Sequence, residues 1–106
     1  MEFKNPYWTT TEKLDLLARW LIIHSIIYYN YDQNIVSDHM FDNNGLQFLK
    51  LRASASKDEI KAMRYGYAMR KYNGSTGFNL YPSLNVEDKE KLDSEARFLM
   101  NLVNKK

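Results

Sequence analysis

The chain lacks cysteine, and it has only two prolines and four glycines among its 106 residues. Without cysteine, disulfides, zinc–thiolate sites and thiol nucleophiles are excluded. The scarcity of proline and glycine leaves long stretches free to form regular structure. Long hydrophobic runs are also missing, since the apolar run at residues 21–23 ends at His24, far short of the roughly 20 residues that span a membrane. Because the N-terminus also has no signal-peptide pattern, we expect a cytoplasmic protein with no membrane partner.

An excess of charge of one sign is likewise missing. The 15 basic and 13 acidic residues give a net charge of +2, which does not indicate a nucleic-acid partner. One segment departs from this balance, because residues 61–72 carry Lys61, Arg64, Arg70 and Lys71 and no acid. Tyrosines interleave with these basic residues, so the segment could follow a nucleic-acid strand or form a solvated helix face. The frequent Asn, Lys, Ile and Tyr are typical of AT-rich genomes and favour a small bacteriophage protein that acts in the host cytoplasm.

A chain of this length predicts a single domain, residues 1–106. Its periodicity predicts helices at about 9–29, 37–51, 57–72 and 86–103, and no stretch alternates long enough to indicate a strand. Thr9 with Glu12 and Ser56 with Glu59 have the spacing of capping boxes, which mark helix starts. The predicted fold class is all-α, a compact bundle of about four helices, with one helical pair in 12–51 and two further helices in 53–106.

Aromatic and acidic residues meet where the first predicted helix ends and the second begins. Tyr28 and Tyr29 are adjacent, and neighbours in a helix point about 100° apart, so they cannot both face one core. Asp38 and Asp42 are four residues apart and share a face of the second helix. Tyrosine faces attract flat cations, and carboxylates suit the hydroxyls of a sugar. This arrangement could therefore hold a positively charged ring with its ribose.

Plainer explanations exist for the same residues. Two tyrosines at a helix end are often half-buried packing residues, and Asp38 suits the first turn of a helix because of the helix dipole. Asp42 could be solvated. His24, on the apolar side of the first helix, is better explained as a core or groove residue than as an acid–base or metal-binding group.

The segment at residues 12–51 resembles the N-terminal helical segment of NAD-dependent DNA ligases, which grips the nicotinamide mononucleotide (NMN) half of NAD. The family pattern reads approximately H-x-Y-x-Y-Y/H-x-x-D-x-P-x-I/V-S/P-D-x-x-Y-D. The chain matches it without a gap at His24, Tyr28, Tyr29, Asp32, Val36, Ser37, Asp38 and Asp42. The resemblance implies that NAD or NMN is the ligand and that it is bound by Tyr28, Tyr29, Asp38, Phe41 and Asp42.

The chain also departs from the ligase pattern. Phe41 stands in place of a tyrosine, Ile26 in place of another, and Asn34 in place of the proline. The adenylated lysine of the ligases lies in a K-x-D-G motif, whereas the nearest sequence here, residues 13–16, is Lys-Leu-Asp-Leu. A DNA ligase acting on its own is therefore excluded.

These observations predict non-catalytic binding of a nicotinamide- or ADP-ribose-type nucleotide, with no catalytic or metal-binding residues. Supporting contacts are expected from His24, and from Arg64, Arg70 or Lys71 to a phosphate. The alternative is a small helical interaction or inhibitor protein of phage type that binds a host protein or nucleic acid. A third hypothesis is an enzyme that cleaves the glycosidic bond of NAD with Asp38 or Asp42, although no acid–base partner is evident.

Overall fold

A computed structural model describes residues 1–105, which form five helices and no strand. The helices are α1 (Thr10–Tyr31), α2 (Asp38–Ser54), α3 (Lys57–Lys61), α4 (Gly66–Met69) and α5 (Val86–Asn104). The predicted all-α fold is confirmed. No helix among the described residues is both long and apolar enough to cross a membrane.

Helix α1 is the centre of the core. It packs against both α2 and α5, and apolar side chains from more than one of its faces are buried. They are Leu14, Leu17, Ala18, Leu21, Ile22, Ile23, Ile26 and Ile27. Full burial of a leucine or isoleucine side chain contributes about 1.5–3 kcal/mol, so this helix supplies much of the apolar stabilisation of the fold.

The helix ends are determined by local hydrogen bonds. Both predicted capping boxes form, at the start of α1 and at the start of α3. Helix α1 is capped at its C-terminal end by Asp32, which adopts a left-handed backbone with φ 52° and donates its backbone N–H to the carbonyl of Ile27. Aspartate is among the few residues other than glycine that tolerate this conformation. The chain then crosses to Ser37, whose side chain accepts the N–H of Met40 and caps α2.

The single helix predicted at 57–72 is wrong, because the segment breaks into α3 and α4. Asp15, on α1, accepts the backbone N–H groups of Arg64 at 2.7 Å and Tyr65 at 3.2 Å. These N–H groups are thereby withdrawn from a continuous helix. The break also lets Tyr65 turn inward, where it is only 4% exposed.

Candidate functional site

A cavity of about 230 Å³ lies where α1 ends and α2 begins, and residues 75 and 77 of the loop between α4 and α5 line part of it. The five residues that the ligase resemblance implies for ligand binding all line this cavity: Tyr28, Tyr29, Asp38, Phe41 and Asp42. His24 lines it as well. The short connection after Asp32 turns the chain back on itself, so that residues from two helices share one opening.

The two adjacent tyrosines both reach the surface, whereas their spacing predicted only that they could not both face the core. Tyr28 and Tyr29 are 50% and 43% exposed, and their rings meet edge to face at 4.8 Å between centroids. The hydroxyl of Tyr29 lies 2.8 Å from Oγ1 of Thr76, and its ring packs edge-on against Phe78. Tyr31 instead donates to Asp93 on α5. Tyr29 is therefore held in place by the loop, whereas the hydroxyl of Tyr28 makes no hydrogen bond within residues 1–105.

The carboxylates stand on the first turns of α2 with no partner of their own. Asp38 follows the capping Ser37 directly, and Asp42 lies one turn later. Neither makes a side-chain hydrogen bond or an ion pair within residues 1–105. Phe41, between them in sequence, is half-buried and packs against the ring of Trp20 at 6.0 Å. The α2 wall of the cavity thus presents one apolar ring and two free carboxylates.

His24 forms a neutral polar part of the wall. It is 7% exposed, and its ring packs against that of Trp20 with 4.3 Å between centroids and a tilt of 46° between the planes. Burial lowers the pKa of His24 from 6.5 to about 4, so the ring is uncharged at neutral pH. Its Nδ1 is buried and has no hydrogen-bond partner among the described residues. Leaving such a group unsatisfied costs about 1–3 kcal/mol, which makes His24 a candidate partner for a polar ligand group.

The loop wall depends on Gly77. A Cβ atom at this position would lie 2.2 Å from Oγ of Ser25 and 3.0 Å from Cζ of Phe41. The hydroxyl of Ser25 is itself fixed, since it donates to the carbonyl of Leu21 at 2.8 Å. Only glycine therefore lets the loop approach this closely. Residues 73–77, Asn-Gly-Ser-Thr-Gly, are recognisable as a turn from sequence, but nothing local shows that the turn packs beside the tyrosines.

The basic residues expected to meet a phosphate lie elsewhere. Arg64 forms an ion pair with Asp88, which is fully buried. Arg70 and Lys71 line two other depressions, and none of the three lines the cavity. The expected phosphate contacts are thus not part of this site, since Arg70 and Lys71 border other depressions and Arg64 pairs with a buried acid.

Neither a metal site nor a known relative helps to identify the cavity. Within residues 1–105 no group of three or more His, Cys, Asp or Glu residues could hold a metal ion. No family model matches the chain, and comparisons with curated proteins and with solved structures find no match either. The resemblance to the ligase segment therefore rests on the motif residues and their common location.

Proposed function

We propose that the chain binds a nicotinamide-type nucleotide, or the related ADP-ribose type, in the cavity between α1 and α2 without converting it. One observation carries this proposal: the five residues taken from the ligase-like pattern lie on two helices and line a single opening. The nicotinamide ring would lie against Tyr28 and Phe41. Asp38 and Asp42 would accept hydrogen bonds from the ribose hydroxyls or the carboxamide.

The dimensions of the cavity favour part of a dinucleotide over the whole. Its volume of about 230 Å³ is somewhat below the roughly 300–1,000 Å³ of pockets that enclose a drug-sized ligand. A ring with its sugar suits such a space better than a complete NAD molecule. The remainder of a larger ligand would extend past the exposed tyrosines into solvent.

Binding without catalysis is the simpler use of these residues. The two carboxylates share one helix face, and His24 has no described acid or base as partner. General acid–base catalysis needs groups within hydrogen-bond reach of the proton they move, and within residues 1–105 no hydrogen bond to another acid or base orients His24, Asp38 or Asp42 for that role. A binder of this kind would sequester a nucleotide, including a signalling nucleotide made from NAD during host defence.

A thermal-shift titration tests the proposal with NAD, NMN, ADP-ribose and AMP, on the wild type and on Asp38→Ala/Asp42→Ala. A ligand at about 100 times its Kd adds roughly 2.7 kcal/mol of stability. Each kcal/mol raises the Tm of a domain this size by roughly 4–8 °C. We expect a shift with the nicotinamide-bearing ligands that the double variant loses. No shift with any of the four would overturn the proposal. Release of free nicotinamide from NAD would also overturn it, because the protein would then hydrolyse NAD instead of only binding it.

A second candidate function, a protein-binding module, is favoured by exposed apolar residues on α5. Phe98 and Leu102 are 65% and 56% exposed and line a groove with Trp20 of α1. A partner bound there would be lost on substitution of Phe98 by serine and retained in Asp38→Ala/Asp42→Ala. Pull-down of a purified partner with both variants separates the two functions, since nucleotide binding predicts the reverse.

A further inference from the structure

The groove between α1 and α5 combines exposed apolar side chains with an apolar floor. Phe98 and Leu102, on α5, are 65% and 56% exposed. Beside them, the floor of the groove is lined by side chains that are half-buried or buried, namely Trp20, Ile23 and Leu99. The groove has a volume of about 440 Å³, within the roughly 300–1,000 Å³ of pockets that enclose a drug-sized group, so it can hold a phenyl ring. One patch thus carries both a projecting ring and a space that suits such a ring.

The border of this groove carries one charge of each sign. Arg19 of α1 and Glu95 of α5 line it, and among the described residues no other lysine, arginine or acid does. Two other depressions are unbalanced, since the α1–α2 cavity is lined by two acids and no lysine or arginine, and the one that Arg52 borders is lined by three basic residues and no acid. A balanced border gives the groove no preference for a strongly acidic or strongly basic partner. It does complement a copy of itself.

Arg19 and Glu95 also keep hydrogen-bonding capacity for a neighbouring molecule. Nε and Nη2 of Arg19 lie 3.1 and 3.0 Å from the same carboxylate oxygen, Oε2 of Glu95. Within residues 1–105, Nη1 of Arg19 and Oε1 of Glu95 make no hydrogen bond. A carboxylate accepts at both oxygens, and a guanidinium carries five N–H donors. The pair is therefore only partly satisfied within one chain, and its side chains are 45% and 30% exposed.

We propose that the groove between α1 and α5 is the interface of a homodimer, with a second copy of the chain as its occupant. A two-fold axis brings the same patch of the two copies together, so that Phe98 of each copy enters the apolar groove of the other. Arg19 of each copy then lies beside Glu95 of the other. This inference goes beyond nucleotide binding and does not depend on it. It names the occupant of the α5 surface, which the second candidate function leaves open.

Sedimentation velocity on the wild type tests for the dimer. Five apolar side chains and their charged border are fewer than the roughly 20–30 residues that each side of a standard interface contributes, so we expect a weak dimer with a Kd of roughly 10–100 μM. Between roughly 5 and 500 μM protein, the average mass should rise from 12.6 kDa toward twice that value. A mass that stays at 12.6 kDa would overturn the homodimer and leave the nucleotide-binding proposal untouched.

Reversal of the border charges tests which surface associates. Arg19→Glu leaves two acids at the border and Glu95→Arg leaves two bases, so each variant alone should repel its own copies and stay monomeric. In an equimolar mixture every base faces an acid, so heterodimers should form with about the wild-type Kd. The net charge of +2 becomes 0 in the first variant and +4 in the second, so attraction between whole molecules does not explain such a heterodimer. Dimers of either variant alone, or no heterodimer between variants that circular dichroism shows to be folded, would contradict this interface.

Matched controls use residues outside the groove. Glu2→Lys and Lys4→Glu make the same changes in net charge at an exposed pair of residues, and each variant alone should dimerise as the wild type does. Phe98→Ser should weaken the dimer roughly tenfold or more. Phe78→Ser, which also removes a ring that is more than half exposed, should not weaken it. An equal loss in the two phenylalanine variants would assign association to general hydrophobicity and contradict the proposal.

Discussion

Two regions of the molecule use their carboxylates in different ways. Asp88, in the first turn of α5, is fully buried and accepts hydrogen bonds from the guanidinium of Arg64 and the hydroxyl of Tyr67. The Arg64 contact lowers the pKa of Asp88. Asp38 and Asp42, on α2, are exposed and have no partner within residues 1–105. The difference indicates that Asp88 serves the fold, whereas the α2 carboxylates remain free to bind a ligand.

The largest expected effect comes from Asp88→Ala. Removing this carboxylate leaves Arg64 and the hydroxyl of Tyr67 without their acceptor and should destabilise the fold by about 2–4 kcal/mol, a range lowered because Arg64 is partly exposed. Urea denaturation measures the change in the free energy of unfolding. Ligand affinity should be unchanged below the unfolding transition. A cost under about 0.5 kcal/mol would contradict the structural role of Asp88.

The pH dependence of stability tests His24. Burial lowers its pKa to about 4, so the folded state resists the proton that the unfolded chain accepts below pH 6.5. The free energy of unfolding therefore keeps its full value above pH 6.5 as far as His24 is concerned. It falls as the pH drops toward 4, by roughly 2 kcal/mol between pH 7 and pH 5. In His24→Gln the decrease in the free energy of unfolding between pH 7 and pH 5 should be smaller by that amount. Parallel curves for the two proteins would place the titration elsewhere.

Gly77→Ala should disturb the cavity through its loop wall. Its added Cβ would lie 2.2 Å from Oγ of Ser25, and overpacking of this kind costs about 1–3 kcal/mol. The loop should move away and the ligand-induced thermal shift should decrease. In Ser25→Ala/Gly77→Ala the closest clash is absent, so part of the stability and binding should return. Absence of any rescue would argue against the close approach of the loop.

The smallest effect on stability is expected for Asp38→Ala/Asp42→Ala. Loss of the Asp38 charge near the start of α2 costs about 0.3–1 kcal/mol, and relief of repulsion between carboxylates four residues apart returns a few tenths, roughly 0.2–0.5 kcal/mol. The free energy of unfolding should thus change by less than about 1 kcal/mol, while the nucleotide-induced shift disappears. A variant that loses several kcal/mol would indicate that these acids stabilise the fold, as Asp88 does.

The candidate site could be predicted from sequence to the extent that it is local. Tyr28, Tyr29, Asp38, Phe41 and Asp42 lie within 15 consecutive positions, 28–42, and only one turn separates their helices. A pattern in the sequence of this stretch can therefore identify residues that line one cavity in the folded chain. Gly77 and Ser25 were missed because their contact joins distant parts of the chain and leaves no local signal.

The sequence by itself determined helices α1, α2 and α5 and the capping boxes that begin α1 and α3, because periodicity and capping act over a few residues. Tertiary structure decided the rest. Asp15 breaks the third predicted helix from α1, about 50 positions away. Arg64 pairs with buried Asp88 rather than with a phosphate. These contacts form between polar groups that the packing of the helices brings together. A buried carboxylate must be paired, however far away in the sequence its partner lies.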